Sequence, residues 1–357
     1  MDALLEVTDP GPANLVQDAG RRGHLAIGVP VSGAADPWLL ACANRLLGNA
    51  PDEAGLEMPL CGPTLRALDA PVQLALAGAL GARRLRPDGE SGPQAAWCSF
   101  TLQPGERLQI GPVRAGIAYL ALAGGCRVSA VLGSRSTYQR AALGGLQGRA
   151  LRAGDRLAVA GAAAGQGVGL AGLQGAPFVH EPGPLRVMPG PQDEAFAPGA
   201  LQTLLGAPWR VGRDSDRMGI RLQGPRLQHR AGADIASEGV VPGAIQVPGD
   251  GAPIVLCVDA QTVGGYTKIA TVIRADLPRL AHLRPGDELR FVAVSRAQAL
   301  QAKAAQAQAW ALWASRLRPC VPGDGPSLPD TQSLLALNLV SGIIDGLDDT
   351  LPWEHMP

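Results

Sequence analysis

The feature that most constrains this chain is its punctuation, with 47 glycines and 31 prolines spread through 357 residues. They cut it into apolar or alternating runs of about five to eight residues, each closed by a turn former. The strings PVQLALAG, ERLQIGPV, AYLALAG, DRLAVAG, APIVLCVDA and DELRFVAV predict strands, several entered through Pro-Gly or Ala-Gly-Asp turns. Many short antiparallel strands must close or stack to remove their edges, so a mainly β protein with a few short helices is expected. The clearest helix signal is DPWLLACANRLLGN, with Asp36 as N-cap, Pro37 in the first turn and Gly48 at the stop. DLPRLAHL, over 276–283, predicts a short helix, and the Ala-rich stretch 295–318, capped by Ser295, a longer one.

A chain of this length favours two domains. Hydrophobic residues make up 46% and charged residues 17%, enough apolar surface for two folded cores. The Ala-Gly stretch inside 162–181 predicts the linker, between barrels at 1–161 and 182–294. Two short strings recur in the same order in each half: L-x-G-P-x-L at 60–65 and 222–227, and L-R-x-G-D-x-L at 151–157 and 283–289. Beyond the 295–318 helix, residues 319–357 read as an extended tail that the fold can spare.

Lys plus Arg equal Asp plus Glu at 31 each, which leaves no basic excess for nucleic acid. No apolar run reaches the roughly 20 residues of a membrane helix, and the amino terminus has acidic residues where a signal peptide is basic. The six cysteines are scattered without a zinc spacing and read as buried small hydrophobes, so no metal is expected and the compartment reads as cytoplasmic. Nucleotide loops, G-x-S-x-G and H-E-x-x-H are missing, and the five histidines read as ordinary surface or core residues. Only Lys268 and Lys303 are lysines, and neither has a Met-Lys-Met setting, so no covalently bound biotin is expected on this chain.

Four polar clusters stand out against the apolar background. The first holds Asp18, Arg21, Ser32 and Asp36 among glycines that let a backbone approach a ligand; a turn and an N-cap explain the same residues. The second groups Arg135, Ser136, Thr137 and Arg140, which suit a carboxylate or phosphate or a solvated loop. Arg213, Asp214, Ser215, Asp216 and Arg217 form the third, which also fits a self-satisfied salt-bridged loop. The fourth runs from 237 to 270 with Glu238, Gln246, Asp259, Gln261, Tyr266 and Lys268, where a Gly264-Gly265 hairpin tip is the competing account. A lysine retained in an arginine-rich chain suggests that a compact ammonium is needed to contact an anion, with an ordinary snorkelling strand residue as the competing account.

Through these clusters the chain resembles the KipA and allophanate hydrolase subunit 2 family. The likeness runs in order through QDAGRRGHLAIGVPVSGAADPWLLACANRLLGN, LEMPLCGPTLRA, VLGSRSTYQRAALGGLQGR, SDRMGIRLQGP, SEGVVPGAIQVPGDGAPIVLCVDAQTVGGYTKIA and LRPGDELRF. Thr267 stands where the family commonly has proline, and Ala19 where it has leucine. The resemblance implies two tandem cyclophilin-like β-barrels and a role as the C subunit of an ATP-dependent 5-oxoprolinase, which hydrolyses 5-oxo-L-proline to L-glutamate. It implies two standing partners, one KipI-like and one LamB/YcsF-like, with ATP shared among the three. A carboxyltransferase-type subunit of a urea or amide carboxylase pathway and a non-catalytic KipA-like antagonist of a kinase inhibitor share the same motifs. Under the first role Lys268, Arg21, Arg217 and Glu238 are expected to be catalytic. Ser32, Arg135, Ser136, Asp216, Gln246, Gln261 and Tyr266 are expected to bind the small-molecule substrate.

Overall fold

A computed structural model describes residues 2–160, 168–170 and 183–319, which fall within one compact unit ending at Pro322. Among the described residues the architecture is mainly β, with two large sheets and four α-helices.

The first sheet has nine strands and hangs on a long antiparallel pair, Val72–Leu85 with Arg107–Leu122. The sequence predicts ERLQIGPV and AYLALAG as two strands. They form one, because repeated register shifts opposite Ala77–Ala82 absorb the glycines as bulges that curve the sheet instead of ending it. At Gly78 (φ +126°) the approach of Ala118 excludes any side chain, since a Cβ would fall 2.6 Å from the Ala118 Cβ. The far edge of Arg107–Leu122 carries Gly55–Met58 and Thr64–Ala67 in series, and Thr64–Ala67 leads on through Asp2–Asp9 to Arg156–Ala160. This gives a half-barrel.

Alternation holds near residue 108, where Leu108 and Ile110 are buried between exposed Arg107 and Gln109, and stops after Ile117, where both faces are covered. Leu120 and Leu122 enter the sheet core, whereas Ile117, Tyr119 and Ala121 pack under α1 (Pro37–Arg45). As expected, Asp36 caps α1, with its Oδ1 accepting from the amides of Trp38 and Leu39 at 3.1 and 3.0 Å.

In the second sheet eight strands run from Glu288–Leu289 round to Phe291–Ala293. Those end strands are neighbours in sequence. Leu289 pairs with Trp209 and Phe291 with Leu185, so the two edges meet across Arg290 and the sheet is a nearly closed barrel. DELRFVAV, expected as one strand, is thus two. A two-turn helix, α2 (Ala200–Gly206), has no capping side chain and so leaves no start signal in the sequence. α3 (Leu277–Leu280) lies inside its expected range.

The L-R-x-G-D-x-L strings build the same turn twice. Asp155 Oδ2 accepts from Arg152 N and Asp287 Oδ2 from Arg284 N, both at 2.7 Å, and each turn hydrogen-bonds a valine backbone, Val7 or Val211. The L-x-G-P-x-L strings are not equivalent: Gly62-Pro63 precedes a strand, whereas Gly224-Pro225 follows one.

α4 (Arg296–Ser315) starts with a Ser295/Gln298 capping box and stops three residues before the expected end. Leu317–Pro319 instead pairs antiparallel with Val168–Leu170, inside the stretch expected to be linker. The rest of 162–181, Cys320 and the tail beyond 319 lie outside the described residues. α4 is held at its end, where Trp313 packs on Cys42, Leu46 and Ala75.

Candidate functional site

Glycine brings the first cluster together. Gly20 (φ +83°) and Gly33 (φ +85°) face each other so closely that a Cβ on Gly33 would sit 2.7 Å from Gly20 N. Across that contact Arg21 N donates to Val31 O and Ala34 N to Asp18 O, both at 2.8 Å. The Asp18 carboxylate accepts from Ser134 Oγ at 2.6 Å, Arg135 N at 2.5 Å, Gly20 N at 2.8 Å and Ser136 Oγ. Burial pushes the Asp18 carboxyl up, but the hydroxyls of Ser134 and Ser136 and the amides of Arg135 and Gly20 outweigh it, holding the group below the ordinary carboxylate value. Arg21 is 1% exposed and donates from Nη2 to Ser136 O; Nε and Nη1 have no partner among the described residues. Burial lowers its pKa against the charges of Asp18 and Asp259.

Ser32 joins the two halves. Its amide donates to Val258 O at 3.1 Å and its hydroxyl to Asp259 Oδ1. Asp259 in turn holds Arg217 through Nε–Oδ2 at 2.7 Å. The same guanidinium donates to Gly33 O at 2.6 Å and to Glu57 Oε1 in the first sheet. Burial acts to lower the Arg217 pKa, but Glu57 and then Asp259 overcome it and the group is driven above its ordinary value. Glu57 Oε2 accepts from Tyr119 Oη at 2.6 Å and Ala35 N at 2.8 Å. Burial first, then the Glu57 charge, raises the Tyr119 phenol well above its usual range, so it stays a neutral donor. Tyr119 Oη accepts from Asp36 N at 3.0 Å, and Asp36 Oδ2 contacts His282 Nε2 at 2.9 Å.

The clamp borders a cleft of about 670 Å³ lined from both halves, with Glu57, Tyr138, Arg140, Asp216, Arg217 and Asp259 among its polar walls. Asp216 is exposed there and caps its own turn, accepting from Met218 N at 2.8 Å. Arg21, Ser32, Arg135 and Ser136 lie in the network but do not line the cleft, and Arg135 turns its Nε to Val128 O at 3.0 Å.

The fourth cluster forms a separate assembly. Lys268 is buried and lies 2.7 Å from Glu238 Oε1, which also accepts from Gln192 Nε2 at 2.8 Å. Gln246 Oε1 accepts from Gln261 Nε2 at 3.2 Å, and Tyr266, exposed, offers its carbonyl to Lys268 Nζ at 3.4 Å. None of Lys268, Glu238, Gln246, Gln261 and Tyr266 lines the cleft, so the expected single constellation is two. Sequence reasoning missed Glu57, Tyr119, Gln192 and the Asp36–His282 link. Glu57 alone left a trace, as a single charge between Leu56 and Met58 in a strand buried throughout. The described residues contain no metal-holding group of three or more His, Cys, Asp or Glu.

Two curved sheets clasped across a charged cleft define a two-part β protein. The sequence profile for the carboxyltransferase domain, subdomains A and B, matches residues 27–293, and the chain belongs to that family. It is 36% identical to the C subunit of 5-oxoprolinase from Escherichia coli K12, over 84% of this chain and 94% of that protein. To the corresponding 5-oxoprolinase C subunit of Haemophilus influenzae it is 34% identical, over 83% and 93%. The crystal structure of Kluyveromyces lactis urea carboxylase superposes with a TM-score of 0.77 at 28% identity, over 89% of this chain and 30% of that protein.

Proposed function

We propose that this chain is the C subunit of an ATP-dependent 5-oxoprolinase, acting in the cytoplasm with a KipI-like partner and a LamB/YcsF-like partner. On this reading its two sheets are cyclophilin-like barrels, and the complex hydrolyses 5-oxo-L-proline to L-glutamate. The observation that carries the proposal is coverage: the chain spans 94% of a protein that is a separate 5-oxoprolinase subunit, whereas it spans only 30% of the urea carboxylase. No helix among the described residues is long and apolar enough to cross a membrane.

Most of the charge in the cleft is already committed or negative, although Arg140 has no carboxylate partner among the described residues. Its Arg217 is committed to Glu57 and Asp259, its Arg284 donates to Val113 O at 2.6 Å, and Glu57, Asp216 and Asp259 oppose an anion. On this reading ATP is shared with the partners, which supply most of its contacts. This chain supplies a rigid two-sheet platform and the Lys268 assembly, and the active site is completed across the interface between proteins.

Reconstitution tests the reading. Lactam-dependent ADP release is expected from the mixture of all three proteins and not from the isolated chain. Turnover of 5-oxoproline by this chain alone, or activity on urea that requires a biotin carboxylase, would overturn it.

A further inference from the structure

Four positions close a square on the second half. Gln246 and Lys268 oppose each other on antiparallel strands, so their side chains leave the same face. Glu238 and Gly264 oppose each other on the adjoining two-stranded sheet. Lys268 Nζ joins one corner to Glu238 at 2.7 Å, and Gly264 joins the other, since any Cβ there would collide with Gln246 Nε2. Gln192 spans the square, donating to Glu238 Oε1 at 2.8 Å and accepting from Lys268 N at 3.2 Å.

Three observations separate this square from an ordinary ion pair. Lys268 is 4% exposed, whereas the Glu238 side chain is 45% exposed, so the ammonium is fixed and the carboxylate is free to leave. Gln246 is 2% exposed and its Nε2 has no partner among the described residues, although buried amide donors are nearly always satisfied. Two donors, Lys268 Nζ and Gln192 Nε2, already converge on a single carboxylate oxygen.

We propose that the square is a carboxylate-binding subsite whose resting occupant is Glu238. A substrate carboxylate displaces Glu238, takes over Lys268 Nζ and Gln192 Nε2, and engages the idle Gln246 Nε2. Glu238 is then a gate and not the catalytic group expected from the sequence. The identity of the carboxylate rests on the functional reading above, in which 5-oxo-L-proline carries one beside its lactam.

Calorimetric titration of the full chain with 5-oxo-L-proline, acetate and 2-pyrrolidinone, the lactam without a carboxylate, tests this directly. Both carboxylates are expected to bind and 2-pyrrolidinone is not. Glu238→Gln removes the competing occupant and should tighten carboxylate binding about tenfold. Lys268→Met should abolish binding. Gly264→Ala keeps every charge but pushes the Gln246 amide aside, and should weaken binding about tenfold with the circular dichroism spectrum unchanged. Unchanged or weaker binding in Glu238→Gln, equal binding of 2-pyrrolidinone, or no carboxylate binding by either parent or Glu238→Gln overturns the proposal. If carboxylates bind and respond to Glu238→Gln while the reconstituted complex hydrolyses no lactam, the subsite stands and the functional reading falls.

Discussion

The clamp at Arg217 and the square at Lys268 each set a cation between acceptors, yet they are built for opposite ends. At Arg217 both carboxylates are buried and fixed by further donors, Tyr119 and Ala35 on Glu57 and Ser32 on Asp259. Withdrawing the guanidinium would leave two buried carboxylates facing each other without a counterion. At Lys268 the acceptor stands half in solvent, so it rehydrates as it leaves, and an idle amide waits beside it. An enclosed network resists exchange and holds the two halves together, whereas a buried cation with a surface counterion invites a competing anion.

Breaking the clamp should have the largest effect. Arg217→Met keeps much of the side-chain volume but strands Glu57 and Asp259, and a loss of about 3–5 kcal/mol is expected in denaturant unfolding. Adding Glu57→Gln should recover part of that loss, because the two residues share one interaction. An additive double variant would contradict the clamp.

The Asp18 network comes next. Asp18→Asn turns an amide donor toward groups that themselves donate, and about 2–3 kcal/mol should be lost near neutral pH. The native carboxyl has a depressed pKa, so its contribution is present above the unfolded value of roughly 3.9 and is lost as pH falls through the lower folded value. The stability gap between parent and Asp18→Asn should therefore hold from pH 8 to about 5 and narrow below about 4. A gap that narrows near pH 6 would assign the effect to another group.

What the sequence made legible follows from range. The Asp36 cap and the Ser295 capping box are complete within four residues of chain, and the repeated L-R-x-G-D-x-L turn within seven. The long strand Arg107–Leu122 was harder to read, because Gly116 looks like a break between ERLQIGPV and AYLALAG when only the partner strand reveals it as part of one strand. In the candidate site, glycine-rich polar strings drew attention to Asp18, Ser32, Arg217 and Asp259, which the structure joins in one network. Glu57 lies 160 residues from Arg217, and His282 lies 246 from Asp36. No spacing rule spans such distances. The division of labour between the clusters was equally hidden, since it depends on whether a carboxylate faces the interior, as Asp259 does, or water, as Glu238 does.

The most direct test of that division is the shift in melting temperature caused by saturating 5-oxo-L-proline in the parent, Arg217→Met and Lys268→Met chains. Ligand that binds only the folded state raises the transition by an amount that grows with the logarithm of its concentration over Kd. The account predicts that Arg217→Met melts well below the parent yet keeps the ligand-induced rise, and that Lys268→Met melts within a few degrees of the parent and loses it. A ligand-induced rise retained in Lys268→Met, or lost in an Arg217→Met chain that is still folded, would contradict the account.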